Sequence, residues 1–265
     1  MLSCNNITKI FNKGTLNEKK ALDDVTLQLN DGDFVTVIGG NGAGKSTLLN
    51  AIAGSFFVDG GTLQLDGEDI TFMLEHKRAR FIGRLFQDPL KGTAPDMTIE
   101  ENMALAAGRG GKFSFGIGIG KAQRAYFRER LEKLGLGLEN RMKNKMGLLS
   151  GGQRQAVTLL MATMSVPKLL LLDEHTAALD PATAEKVINL TKEIVEQEHI
   201  TTLMITHNIH SALECGNRTI MMDDGKIILD INGDERKNMT VEALLQLFRL
   251  KSSKELDNDR MLLTK

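Results

Sequence analysis

DGDFVTVIGGNGAGKSTLLNAIAG, residues 31–54, is the stretch on which the fold turns. Phe34–Ile38 is a nearly unbroken apolar run, the pattern of a strand buried on both faces. It feeds directly into the glycine loop Gly39-Gly40-Asn41-Gly42-Ala43-Gly44 and then into Lys45–Ala53, which has helical spacing, with Gly54 suited to the C-cap. Strand, glycine loop and helix in that order make a match to G-x-x-x-x-G-K-[ST] a phosphate loop rather than a plain turn. Residues Gly39 to Ser46 match, and Thr47 follows. Glycines let successive backbone N–H groups curl around phosphate oxygens without Cβ clashes. The helix adds its positive end. In this pattern Lys45 reaches the β- and γ-phosphates and the Ser46 hydroxyl coordinates Mg²⁺.

Outward from this stretch, alternating residues predict antiparallel strands at about 2–10, 21–30 and 62–70. The region from about 88 to 165 is mostly helical, with Thr98 and Glu101 forming a capping box before Asn102–Ala107. Within it, GRGGKFSFGIGIGK (108–121) reads as an exposed connector. From Lys168 onward strands and helices alternate: LLLLD, Pro181–Gln197, TTLMITH, Ser211–Cys215, RTIMMDD and KIILDI. That order implies a mostly parallel sheet. The expected fold is α/β: a phosphate-loop NTPase core with a mostly parallel sheet, an antiparallel β subdomain and a helical subdomain. One domain is expected over 1–232, with the helical part inserted at about 88–165. A short tail, 233–265, follows with one amphipathic helix at Val241–Phe248.

Composition excludes little but is consistent. The chain has 265 residues, 42% hydrophobic and 25% charged, with a net charge of −1. Nothing in that balance draws it to nucleic acid or to an anionic membrane surface, and no nucleic-acid partner is expected. Cys4 and Cys215 form no disulfide or zinc spacing, which fits a reducing compartment. MLSCNNITKIFNKG lacks a signal-peptide pattern. Apolar runs such as Leu169–Leu172 fall far short of the ~20 residues that span a bilayer. A link to the membrane is therefore expected to run through a partner.

Two further segments carry chemistry. Leu169–Leu172 followed by Asp173-Glu174 sets two carboxylates at the end of a buried strand, where ligands sit in open α/β sheets. Asp173 can hold the Mg²⁺ shell, and Glu174 can accept a proton from the attacking water or orient it. A solvated acidic turn would look the same in isolation; the phosphate loop upstream favours the catalytic reading. In Leu149-Ser150-Gly151-Gly152-Gln153, Ser150 and Gln153 fit a capping box. Two glycines in a first helical turn cost stability and need another reason. A helix N-terminus with bare N–H groups is a second anion site.

That last segment, LSGGQ, resembles the signature of ATP-binding-cassette (ABC) ATPases, and other elements of that family appear in order over about 2–232. Phe11 stands where an aromatic stacks on adenine, Gln87 in LFQDP looks like the Q-loop glutamine, Ala177–Asp180 resembles the D-loop, and His207 matches the histidine that contacts the γ-phosphate. Local alternatives stay open: Phe11 as a core aromatic, Asp180 as a helix N-cap and His207 as a satisfied polar residue. His175, His199 and His210 are read as structural. The chain departs from the family where His175 replaces a usual proline and Ala156 a common arginine, neither at a catalytic position.

The resemblance implies an ATPase that uses ATP and Mg²⁺. Its nucleotide contacts would be Phe11, Gly39, Gly40, Asn41, Gly42, Ala43, Gly44, Lys45, Ser46 and Thr47, with Ser150, Gly151, Gly152 and Gln153 supplied across a dimer. Glu174, His207 and Gln87 would be catalytic, and Ser46, Gln87 and Asp173 would face the metal. It further implies a head-to-tail pair of copies on the cytoplasmic face of the plasma membrane, bound through a permease and served by an extracytoplasmic solute-binding protein. FQDPLKGTAPDMTIEENMALA and LLLLDEHTAALDP resemble a branch of bacterial uptake ATPases associated with aromatic amino-acid import. An exporter subunit or a soluble, non-transport family member is the alternative.

Overall fold

A computed structural model describes residues 1–109 and 118–252. Most of the glycine-rich connector and the end of the tail lie outside the described residues. The chain separates into two compact units, Met1–Arg78 with the chain from Thr201 onward, and Ala79–Ile200. Each is taken by itself.

The first unit opens with β1 (Leu2–Phe11) and β2 (Lys19–Leu29), then β3 (Phe34–Gly39), α1 (Lys45–Ala53), β4 (Gly60–Leu65), β5 (Glu68–Asp69) and a single turn, α2 (Glu75–Arg78). β2, β1, β4 and β5 form an antiparallel sheet in that order, with Leu2 opposite Leu29 on one side and Leu65 on the other. The span expected at 62–70 is thus two short strands, broken by a turn in which Asp66 and Gly67 both take positive φ. β3 is buried at every residue, as its apolar run requires.

The second unit contains β6 (Ile82–Leu85), α3 (Ile99–Ala107), α4 (Lys121–Glu132), α5 (Gly151–Thr163), β7 (Leu169–Asp173) and α6 (Pro181–Gln197). Helix α3 starts earlier than its apolar residues suggest because Thr98 is its N-cap and completes the box with Glu101. β6 was not legible, since IGRL is too short to show a period, and it exists through parallel pairing with β7. The helical core is sulfur-rich: Met103, Met142, Met146, Met161 and Met164 pack with Ile99, Phe127, Leu131 and Leu160. Flexible thioethers fill the irregular gaps among short helices.

From Thr201 the chain returns to the first unit as β8 (Thr201–Ile205), α7 (Ile209–Glu214), β9 (Arg218–Asp223), β10 (Lys226–Asn232), α8 (Gly233–Lys237) and α9 (Val241–Lys251). β3 lies parallel to both β8 and β9, and β10 runs antiparallel to β9. The amphipathic tail helix is longer than its apolar stripe indicated, and Leu244, Leu245 and Phe248 pack with Ile38, Ile209, Ala212 and Met221. Among the described residues no helix is long and apolar enough to cross a membrane.

Candidate nucleotide-binding site

In the first unit the phosphate loop turns out of β3 at Gly39 and enters α1 at Lys45. Gly39, Gly42 and Gly44 all take positive φ, at 149°, 78° and 101°. Two of these glycines are also fixed by space. A Cβ on Gly39 would run into the Met222 carbonyl, and one on Gly44 would lie 2.6 Å from the Ala21 carbonyl oxygen. Lys45 is only 5% exposed. Its Nζ donates to the carbonyls of Gly39 at 2.8 Å and Gly40 at 3.0 Å, so the loop's own oxygens hold the ammonium at its rim. Gly44 caps α1 without a side chain, so the helix begins directly at the loop, the end that carries its positive dipole.

His207 belongs to the same neighbourhood. Val37 of β3 pairs with Ile205 of β8 in parallel register, so the phosphate loop and His207 both follow the carboxyl ends of adjacent parallel strands. That edge is where open α/β sheets bind ligands. Thr206 N–H donates to the Val37 carbonyl at 3.2 Å, and Asn208 N–H donates to the Thr206 hydroxyl at 3.1 Å. The backbone on both sides of the histidine is therefore fixed.

Phe11 closes β1 and is 36% exposed. Its ring meets Phe56 edge-on at 5.4 Å, so it is a half-open platform rather than a core side chain. Opposite Phe11 on β2 stands Lys19. A Cβ built on Gly42 would lie 3.2 Å from Lys19 Nζ. Cross-strand partners share a sheet face, so Lys19 links the Phe11 platform to the phosphate loop. Sequence reasoning missed this residue: Lys19-Lys20 belongs to no motif, and only strand pairing reveals the neighbour.

In the second unit, Leu85 of β6 pairs with Leu172 of β7 in parallel register. Gln87 stands two residues beyond Leu85, and Glu174 two beyond Leu172, at the same sheet edge. Asp173 ends β7 and Glu174 turns away with φ 45°. The fully buried Gln155 of α5 lies with Nε2 3.5 Å from the Phe86 carbonyl oxygen, next to Gln87.

The signature begins α5. Ser150 Oγ accepts from Gln153 N–H at 3.3 Å, and Gln153 Oε1 accepts from Ser150 N–H at 3.2 Å, so the capping box is formed. The two glycines differ. A Cβ on Gly152 would overlap the Thr183 methyl of α6, so tight helix packing requires that glycine. Gly151 is exposed and faces only the Leu179 side chain, at 3.2 Å from a built Cβ. Asp180 is the N-cap of α6, accepting from Thr183 N–H.

Thus Phe11, the phosphate loop Gly39–Thr47 and His207 fall in the first unit, and Gln87, Ser150–Gln153, Asp173 and Glu174 in the second. Ser46 in the first unit, and Gln87 and Asp173 in the second, each carry a side-chain oxygen of the kind hard cations such as Mg²⁺ take. Among the described residues no group of three or more His, Cys, Asp or Glu could hold a metal.

A buried strand ending in a glycine loop and lysine, with an acidic pair closing a second strand, defines a phosphate-loop ATPase. Residues 22–177 match the family model described as ABC transporter, and the chain belongs to that family as its ATP-binding, ATP-hydrolysing subunit. A tyrosine transport ATP-binding protein of Clostridioides difficile is 42% identical, over 94% of this chain and 98% of that one. A lipoprotein-releasing system ATP-binding protein of Caulobacter vibrioides is 35% identical, over 87% of this chain and 96% of its own length. Among solved structures, a dimeric ATP-binding cassette in a post-hydrolysis state bound to ADP and Pi matches with a TM-score of 0.75 and 32% identity, covering 88% of this chain and 98% of that one.

Proposed function

We propose that two copies of this chain close head to tail on two ATP molecules and thereby drive a separate permease that imports an aromatic amino acid. The dimer reading is carried by the first turn of α5. Ser150 and Gly151 are exposed, and the Ser150 and Gln153 side chains are folded onto the cap. The N–H groups of Gly151 and Gly152 lack an intrahelical acceptor, as in any first turn, and suit the γ-phosphate held by the other copy.

Lys45 swings from the Gly39 and Gly40 carbonyls to the β- and γ-phosphates, and His207 contacts the γ-phosphate. Glu174 orients the attacking water and accepts its proton, and Gln87 stands beside it at the same sheet edge. Catalysis is then positioning and charge stabilisation. Ser46, Asp173 and Gln87 would hold Mg²⁺, which when bound neutralises charge on the β- and γ-phosphates. The ATPase domain spans 1–232 with its helical part at about 88–165. The chain works at the cytoplasmic face of the membrane, held there by the permease.

Glu174→Gln keeps the shape and removes both the base and a negative charge near the γ-phosphate. With Mg-ATP it elutes as a dimer in gel filtration with light scattering, and with ADP as a monomer. Adding Ser150→Arg restores the monomer in ATP. A Glu174→Gln chain that stays monomeric at tens of micromolar protein and high ATP would count against the sandwich. The cargo reading rests on the tyrosine transport relative and on the resemblance of FQDPLKGTAPDMTIEENMALA and LLLLDEHTAALDP. Calorimetry on the solute-binding protein encoded beside this chain should show binding of tyrosine or tryptophan. Binding of only sugars, peptides or metals ends the cargo reading and leaves the ATPase intact.

A further inference from the structure

His175 follows Glu174 in the turn between β7 and α6. His175 is 3% exposed, and Nε2 lies 3.2 Å from Thr191 Oγ1, about three helical turns into α6. The direction of that hydrogen bond is fixed by a second one. Thr191 Oγ1 donates its hydrogen to the Val187 carbonyl at 2.7 Å, and a hydroxyl has only one to give. Thr191 therefore accepts, and His175 Nε2 carries the proton. Burial pushes the imidazole pKa down to about 4, so the ring is neutral near pH 7.

Glu174 itself has φ 45°. Left-handed backbone at a residue with a Cβ is strained and persists only where the surroundings over-determine it. Before the turn, Leu169–Leu172 are fully buried in β7. Within it, Ala177 N–H donates to the Glu174 carbonyl at 2.9 Å. After Glu174, the next side chain to enter the protein interior is His175. We propose that His175 is a positioning residue: through Thr191 it ties the turn to α6 and holds the Glu174 carboxylate in its reactive orientation. This rests on Glu174 as the residue that orients the attacking water.

The test is single-turnover ATP hydrolysis by the full chain, with ATP affinity and thermal unfolding measured on each variant. His175→Ala lowers the hydrolysis rate about 10–100-fold, the scale of a 1 Å misplacement, while ATP affinity stays within about twofold, because the phosphate loop is untouched. Thr191→Val keeps the shape, removes the acceptor and lowers the rate by a smaller factor. The double variant is no slower than His175→Ala, since both act through one contact. His175→Gln, whose amide Nε2–H reaches about as far, recovers most of the rate. Should His175→Ala fail to fold, Thr191→Val and His175→Gln decide. Wild-type rates in folded His175→Ala and Thr191→Val overturn the proposal, as does a loss of rate matched by a loss of ATP affinity. Glu174→Gln separates the two readings: at wild-type rate it removes Glu174 from the chemistry, whereas an inactive Glu174→Gln beside wild-type His175 variants sinks the His175 proposal alone.

Discussion

Lys45 and Lys19 approach the phosphate loop from opposite circumstances. Lys45 is buried, its ammonium satisfied by two loop carbonyls, whereas Lys19 is exposed and reaches Gly42 from the neighbouring sheet. The first was legible because the motif demands it; the second was not, because its role comes from being opposite Phe11 in the strand pairing. Phe11→Ala should weaken ATP binding by about 1–3 kcal/mol, the scale of base–aromatic stacking. Lys19→Met should weaken it by less than about 1 kcal/mol at moderate salt, and the deficit should shrink as salt rises, since an exposed charge is screened. Titration with a fluorescent ATP analogue at two ionic strengths reads both effects. A Lys19→Met deficit that ignores salt would mean that packing, not charge, was lost. At His175 the sequence supported only a structural reading, since burial and the Thr191 partner are tertiary facts.

At the scale of elements, α1 shows how a functional helix is anchored from its far end. Arg78 is fully buried, and its guanidinium donates to the carbonyls of Ala51 and Ile52 in the last turn of α1, and to those of Met73 and Thr71. A cation at a helix C-terminus complements the dipole, and here it also satisfies carbonyls that the helix end leaves open. Gly54 caps the helix at φ 84°, and a Cβ there would lie 2.8 Å from Arg78 Nε. Arg78→Met leaves those carbonyls without a donor, so stability should fall by about 3 kcal/mol or more. Urea unfolding measures it, and a change under about 1 kcal/mol would mean that water replaces the guanidinium. The C-cap glycine was legible from spacing; the arginine 24 residues later was not, because α2 is a single turn with no periodicity of its own. The signature glycines divide the same way. Both were conspicuous in sequence, but only the contact with Thr183 separates Gly152, fixed by packing, from Gly151, free to face a ligand.

At the scale of the whole chain, the tail is less separate than its sequence suggests. Its described part continues the first unit: Arg236 donates to the Ala212, Leu213 and Cys215 carbonyls at the end of α7, and α9 adds Leu244, Leu245 and Phe248 to the core around Ile209 and Ile231. Phe248→Ala should therefore cost about 3–5 kcal/mol, as for other buried aromatics. The urea midpoint should fall with an unchanged slope. A shift below about 1 kcal/mol would show that α9 merely rests on the surface. Sequence composition could not reveal this, because an amphipathic helix has the same pattern whether its apolar stripe covers its own chain or a partner.

By itself the sequence determined the elements whose local chemistry has few solutions. The phosphate loop follows from glycines that must reach positive φ, the capping boxes at Thr98 and Ser150 from side-chain oxygens placed three residues from their partners, and the buried strands β3 and β7 from apolar runs too continuous for a solvated face. Tertiary structure alone decided what depends on neighbours distant in the chain. Those decisions were the parallel pairing that sets Gln87 level with Glu174 and His207 beside the phosphate loop, the reach of Lys19 to Gly42, the packing that requires Gly152, and the buried hydrogen bond from His175 to Thr191. The reason is the range of the forces. Backbone sterics and capping act within about four residues and are written into local order, whereas packing and strand register act across any separation and become definite only when the chain is folded.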